Sequence, residues 1–152
     1  MLVIKSLDEL KDYVGKEIAA SDWTVVTQER ITQFAEATGD RQWIHLDRER
    51  AQRESPFGAT IAHGFLTLSL VSYLMQRSFQ IRSGVRLAVN YGLNRVRFVS
   101  PVREGSRIRG RFQLMSCQDR SEACEAIYSC TIECEGNEKP ACVAEWIVRY
   151  YK

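Results

Sequence analysis

The chain has 152 residues, 45% of them hydrophobic and 26% charged, with 21 basic against 19 acidic side chains and a net charge of +2. That length suits one domain with a real core, and the composition excludes a disordered chain. With no basic block and near-balanced charge, nothing calls for a nucleic-acid partner.

Met1 to Glu9 contains no apolar run of leader length. Leu7, Leu10, Tyr13 and Val14 recur at helical spacing and predict a short amphipathic helix ending at Gly15. Asp22 to Val26 is a short β-rich run. Thr27 then suits an N-cap, with Glu29 in the first turn where the helix dipole favours an anion. Ile31, Phe34, Ala35 and Thr38 share one face of that helix, and Gly39 is placed to end it.

Asp40 and His45 follow at once. A continuous helix would turn two side chains at this spacing well apart, but Gly39 stops the helix, so residues 40–45 read as a turn that folds both toward one pocket. Acid–base chemistry needs one group to take a proton and one to give it. The plain structural alternative is a turn aspartate and a hydrogen-bonded interior histidine.

Asp47 to Arg53 is polar and fits one or two helical turns, and Ser55-Pro56-Phe57-Gly58 is a loop. Ile61 to about Ser78 is apolar nearly all round, which predicts a helix buried on most sides. His63, Thr67, Ser69 and Ser72 interrupt it, and it is too short to span a bilayer, which needs ~20 apolar residues. A cytoplasmic, membrane-free protein is the expectation.

The remainder alternates as strands. Val85, Leu87, Val89, Tyr91 and Leu93 keep one phase, which slips before Val96 and Phe98 and predicts a bulge or break between Gly92 and Arg95. Ile108, Phe112 and Leu114 mark the next strand, Cys124 to Cys134 another, and Cys142 to Tyr150 the last. The five cysteines (Cys117, Cys124, Cys130, Cys134, Cys142) are odd in number and lack a Cys-x-x-Cys pair. Free thiols are expected, and no metal site. Helices first, one of them fully buried, then four or more antiparallel strands make an α+β fold, a curved sheet wrapped around a long central helix in the hotdog manner. Such a sheet leaves edges open, so a homodimer paired edge to edge is expected.

Gly64, at the start of the buried helix, offers a first-turn amide with no intrahelical partner and no Cβ in front of it. Such a donor can polarise a thioester carbonyl. It can equally be a small residue that lets the helix pack closely on a strand. The arginines from Arg95 to Arg111 can meet anionic phosphates, but alternating charge on a strand reads first as a solvated sheet face.

Gly39-Asp40-(x4)-His45-Leu46-Asp47, Pro56-Phe57-Gly58, Ile61-Ala62-His63-Gly64 and Asn90 to Phe98, in this order and spacing, resemble the MaoC-like dehydratase family, including its nodulation-protein-N-like branch and the (R)-specific enoyl-CoA hydratases. The resemblance implies a hotdog homodimer that adds water reversibly and syn across a trans-2-enoyl thioester. It places the catalytic acid on Asp40, the catalytic histidine on His45 and the carbonyl-binding amide on Gly64. Ser69 falls on a small hydroxyl position that supports the active-site loop. No cofactor is implied beyond the coenzyme A or acyl carrier protein that belongs to the substrate. Gln42 and Trp43 stand where many hydratases have Asn-Pro, a departure that bears on substrate range. The competing readings are an acyl-CoA thioesterase and a non-catalytic acyl-thioester-binding or interaction protein. The residues do not assign which of Asp40 and His45 takes the proton.

Overall fold

The computed structural model describes residues 1–152. Strand β1 (Leu2–Ile4) opens the chain, followed by α1 (Leu7–Leu10), whose N-cap Ser6 accepts from the Glu9 amide, and by a 3-10 turn over Lys11–Tyr13. Two short strands come next, β2 (Glu17–Ala20) and β3 (Thr24–Val25). The helices are α2 (Gln28–Thr38), α3 (Trp43–Leu46), α4 (Arg48–Glu54) and α5 (Gly64–Gln76). Strands β4 (Phe79–Ile81), β5 (Leu87–Phe98), β6 (Arg107–Asp119), β7 (Ala123–Cys134) and β8 (Cys142–Tyr151) complete the chain.

The main sheet runs β2-β6-β7-β8-β5, antiparallel throughout, with β3 added on β6. Helix α5 packs on β6, β7 and β8. Its Leu66, Val71, Leu74 and Met75 enter one core with Ile108, Phe112, Leu114, Ala126, Tyr128, Ile132 and Val148. The α+β hotdog expectation therefore stands. Strands β1, β2 and β4 escaped the reading. Each is at most four residues long, and β1 and β4 are tied only to each other, in parallel.

Three expectations need correction. Helix α5 begins at Gly64, not Ile61, because Ile61 bridges to Arg103 and the Ala62 amide donates to Val102 at 2.7 Å. Nor is it buried on every side: Phe65 is 70% exposed, Ser69 is exposed, and Leu68 and Leu70 are half-buried. On α2, Thr38 is exposed and its hydroxyl returns to the Phe34 carbonyl. The phase slip in β5 resolves as two register shifts, at Asn90/Gly92 and Leu93/Arg95.

The outer sheet face carries paired charge: Arg107 with Glu135, Arg109 with Glu133, Arg111 with Glu17 and Arg149 with Glu125. Exposed pairs of this kind add at most ~1 kcal/mol each, so the ladder chiefly keeps the face solvated. All five cysteines are free thiols, with the Cys117 and Cys124 sulfurs 2.6 Å apart.

Gly110 on β6 is one of the places where the central helix packs closely on the sheet. A Cβ there would lie 2.6 Å from the Phe112 ring and 3.2 Å from the Leu74 Cβ. Both neighbours are fully buried and have little room to shift. Gly110→Ala should therefore lower folding stability by ~1–3 kcal/mol, read as a shift of the denaturation midpoint. An unshifted midpoint would mean that the helix does not press on this strand.

Candidate active site

Helix α2 is capped at both ends. The Thr27 side chain accepts from the Arg30 amide, and Gly39, at φ 78°, donates its amide to Ala35. A left-handed residue at this point suits glycine and swings the chain off the helix axis. Asp40 thus lies exposed at the rim, and residues 40–42 lead into α3, which carries His45 inward until it is only 6% exposed. Residues 40–45 are therefore half turn and half short helix. The Asp47 side chain caps α4 by accepting from the Arg50 amide.

His45 is held from several directions. Its Nδ1 lies 2.7 Å from the Ile61 carbonyl, and the Ile61 amide donates back to the Ile44 carbonyl at 3.1 Å. Gln28 Nε2 donates to the His45 carbonyl at 2.7 Å, while Gln28 Oε1 accepts from the buried Thr60 hydroxyl. The His63 ring stacks on His45, with centroids 3.7 Å apart and planes 22° apart, and Phe34 lies on the far side of His63. His63 Nε2 in turn reaches the Asp40 carbonyl at 2.9 Å.

A carbonyl only accepts, so the nitrogen facing it must carry the hydrogen. His45 is accordingly the Nδ1–H tautomer in its neutral form, with a free lone pair on Nε2. Burial pushes the His45 pKa below its ordinary value of 6.5, and the nearby His63 adds to this. The bond to Ile61 and the charge of Asp40 oppose it. Burial is the largest of these effects, so the neutral, proton-accepting imidazole is favoured.

Side-chain ligand atoms of Asp40, His45 and His63 all lie within 4.8 Å of one another, a spacing that would suit a metal ion. The ring orientations do not. Metal bonds lie in the imidazole plane, and two rings stacked 22° from parallel direct their lone pairs side by side instead of at one point. The arrangement suits proton transfer better than coordination.

Gly64 follows His63 directly and begins α5. Neither its amide nor that of Phe65 is taken up by another group of the chain, and the N-cap His63 supplies no side-chain cap. Gly64 lines a cleft of about 250 Å³ with Phe57, Ile61, Thr67 and Phe98. Ser69 sits apart from these groups. It faces a groove between α5 and β5, and its hydroxyl donates to the Leu66 carbonyl at 2.8 Å. A larger cavity of about 480 Å³ adjoins that groove, walled by Met75, Phe79, Ile81, Val85 and Trp146. His63, Gln28 and Thr60 were not anticipated. Only His63 left a sequence signal, as the second of two histidines, placed just before the glycine that starts the central helix.

The family profile described as MaoC like domain matches residues 9–133. The chain belongs to the MaoC-like family. Among its members, 3-hydroxyacyl-thioester dehydratase Z of Mycobacterium tuberculosis is 49% identical over 151 residues, covering 99% of both chains. Nodulation protein N of Rhizobium leguminosarum bv. viciae is 48% identical over 143 residues, 93% of this chain and 89% of that one. Among solved structures, R-hydratase PhaJ1 of Pseudomonas aeruginosa superposes with a TM-score of 0.77 at 20% identity, over 97% of this chain and 86% of that one. This likeness shows that the MaoC-like fold is shared.

The lowered pKa of His45 fixes the sign of one measurement. Activity that needs the neutral imidazole is complete above the His45 pKa and falls on acidification, so the acid limb of kcat/KM should have its midpoint below 6.5. A midpoint well above 6.5 would mean that His45 works from its charged form.

Proposed function

We propose that the chain is an (R)-specific enoyl-thioester hydratase and 3-hydroxyacyl-thioester dehydratase, with residues 1–152 working as one domain. Asp40 and His45 form the catalytic pair, and the Gly64 amide is the carbonyl donor. The observation that carries this reading is the tautomer of His45. Its bond to Ile61 leaves a basic Nε2 beside the Asp40 carboxylate, close to a helix start with unclaimed amides. The identity to 3-hydroxyacyl-thioester dehydratase Z along almost the whole chain supports the same reaction class.

In the hydration direction, one water sits between the Asp40 carboxylate and His45 Nε2. Nε2 takes its proton as the oxygen bonds to C3, and the C2–C3 π electrons move into the thioester, forming an enolate. The Gly64 N–H, at the positive end of α5, stabilises the enolate oxygen. The imidazolium then returns its proton to C2, and the thioester carbonyl re-forms. Water is consumed whole, with its hydroxyl on C3 and a proton on C2. Both arrive from the side where His45 stands, so the addition is syn. Asp40 orients the water and stabilises the imidazolium while it lasts. No redox step enters, and the acyl carrier, coenzyme A or acyl carrier protein, remains part of the substrate. Because Asp40 is exposed and not sealed in, a water and a substrate can reach the pair.

We further infer a homodimer. Strand β5 is an edge of the main sheet, and along it Leu87, Val89, Tyr91, Leu93 and Phe98 are all at least 42% exposed. Phe65 and Val99 extend the apolar surface. A second copy on this edge would pair the open strand, cover that surface and close the groove that Ser69 faces. No helix of the chain is long and apolar enough to cross a membrane.

Loss of enoyl absorbance on crotonyl-CoA tests the activity directly. Asp40→Asn and His45→Gln should each lower turnover at least ~100-fold without unfolding the protein, and the double variant should be little worse. Near-native turnover in either single variant would remove that residue from the pair, and free coenzyme A released by the wild type would mean thioester hydrolysis. Sedimentation should give a dimer at micromolar concentration, and a stable, active monomer would contradict the assembly.

Gly64 needs a two-step test, because an added Cβ lies 3.0 Å from the Phe98 ring. Gly64→Ala alone mixes steric strain with loss of the amide contact. Combining it with Phe98→Leu should recover the denaturation midpoint while turnover stays ~100-fold or more down. Recovery of both would make Gly64 a packing residue only.

A further inference from the structure

We infer that His63 is a positioning residue for the Asp40–His45 pair, held in the tautomer opposite to that of His45. This rests on the roles proposed for those two residues in hydration. His63 is 3% exposed and faces a carbonyl through Nε2, so the hydrogen is on Nε2 in the neutral ring and Nδ1 carries the lone pair. Nδ1 is buried and has no partner in the chain. His45 is the reverse, with its hydrogen on Nδ1 and its lone pair on Nε2. Two stacked imidazoles thus point their N–H groups at two different backbone carbonyls, one on each side of the site.

Asp40 shows what the His63 bond does. It directly follows the left-handed Gly39, is exposed, and no group of the chain bonds its carboxylate. The only other hydrogen bond on its backbone is a long one, 3.4 Å from its amide to the Thr38 hydroxyl. The 2.9 Å bond from His63 is therefore the main tie that sets where the carboxylate stands. The same ring backs His45 and is wedged from behind by Phe34. The next residue is Gly64. One side chain thereby fixes the spacing among the carboxylate, the imidazole and the start of α5, and a misplacement on the order of 1 Å can cost ~100-fold in rate.

The titratable groups bearing on His45 are Asp40 and His63. Helix α2 contributes the neutral Gln28 and Phe34. On α4, Arg50 lies over the Trp43 ring and Arg48 pairs with Glu104.

Since the chain has only two histidines, 15N-histidine labelling reports both rings without ambiguity. In the wild-type protein near neutral pH, one ring should show Nδ1–H and the other Nε2–H, and His45→Gln should assign them. His63→Phe keeps a flat ring against His45 but removes the donor to Asp40. It should lower turnover on crotonyl-CoA by ~10–100-fold with little change in KM. It should also raise the His45 titration midpoint, because the neighbouring imidazole that opposes a charge on His45 has gone. His63→Gln restores a donor and should recover most of the turnover. Matching tautomers in the wild type would overturn the inference. So would a folded His63→Phe protein with wild-type turnover and an unmoved His45 titration. If His63→Phe fails to fold, the wild-type tautomers and the turnover of His63→Gln decide. Should the wild type not hydrate crotonyl-CoA at all, the proposed activity falls, while tautomers and titration still test the placement of His63.

Discussion

The site depends on one hydrogen bond, from His45 Nδ1 to the Ile61 carbonyl at 2.7 Å. It joins the short helix after Gly39 to the segment that leads into α5, and the Ile61–Ile44 backbone bond, the His63–Asp40 bond and the His45–His63 stack reinforce the same junction. Burying an imidazole is unfavourable unless its N–H finds an acceptor, and Ile61 supplies one. That bond also decides which ring nitrogen stays basic, so the packing of the loop and its chemistry have one cause. A helix of four residues has little stability of its own, and α3 keeps its shape because Gln28 and Ile61 hold its central residues Ile44 and His45.

The sheet supplies the fixed frame. Helix α5 is clamped between β6 and the core, so its first turn stands at a set height above the loop. The same clamping explains the close approach at Gly110 and the position of the Gly64 amides. Acid also acts on stability. The folded state holds the His45 pKa below 6.5, so the unfolded chain takes up a proton first as pH falls. The stability that His45 contributes is therefore complete above 6.5 and is lost as pH drops from there toward its lowered pKa.

Much of this was legible in the sequence because strong local signals agreed with the fold. Thr27 and Gly39 bound α2 as their chemistry demands, and β6, β7 and β8 show the expected alternation of buried and exposed residues. Free thiols follow from cysteines that lie in strand alternation. What could not be read depends on distant partners. Strands β1 and β4 are three-residue segments that exist only by pairing with each other. Strand β5 alternates like a half-buried strand yet is exposed on both faces, because pattern records what is apolar and not what covers it. The start of α5 shifted to Gly64 because the Ile61 and Ala62 backbones are engaged by Arg103 and Val102. At the site, Asp40 and His45 were visible as residue types at a suggestive spacing. Gln28 and Thr60 act through bonds to partners far away in the sequence, which leave no local pattern, and the bond from His63 to the Asp40 carbonyl is likewise a product of the fold.

The most direct test of the proton relay is the stereochemistry of hydration in deuterium oxide. Crotonyl-CoA should yield the (R)-3-hydroxybutyryl thioester with one deuterium on C2, on the same face as the new hydroxyl, since one imidazole both takes and returns the proton. Anti addition, or deuterium spread over both faces of C2, would mean that a separate acid on the opposite side delivers the proton, and His45 would then not be the relay.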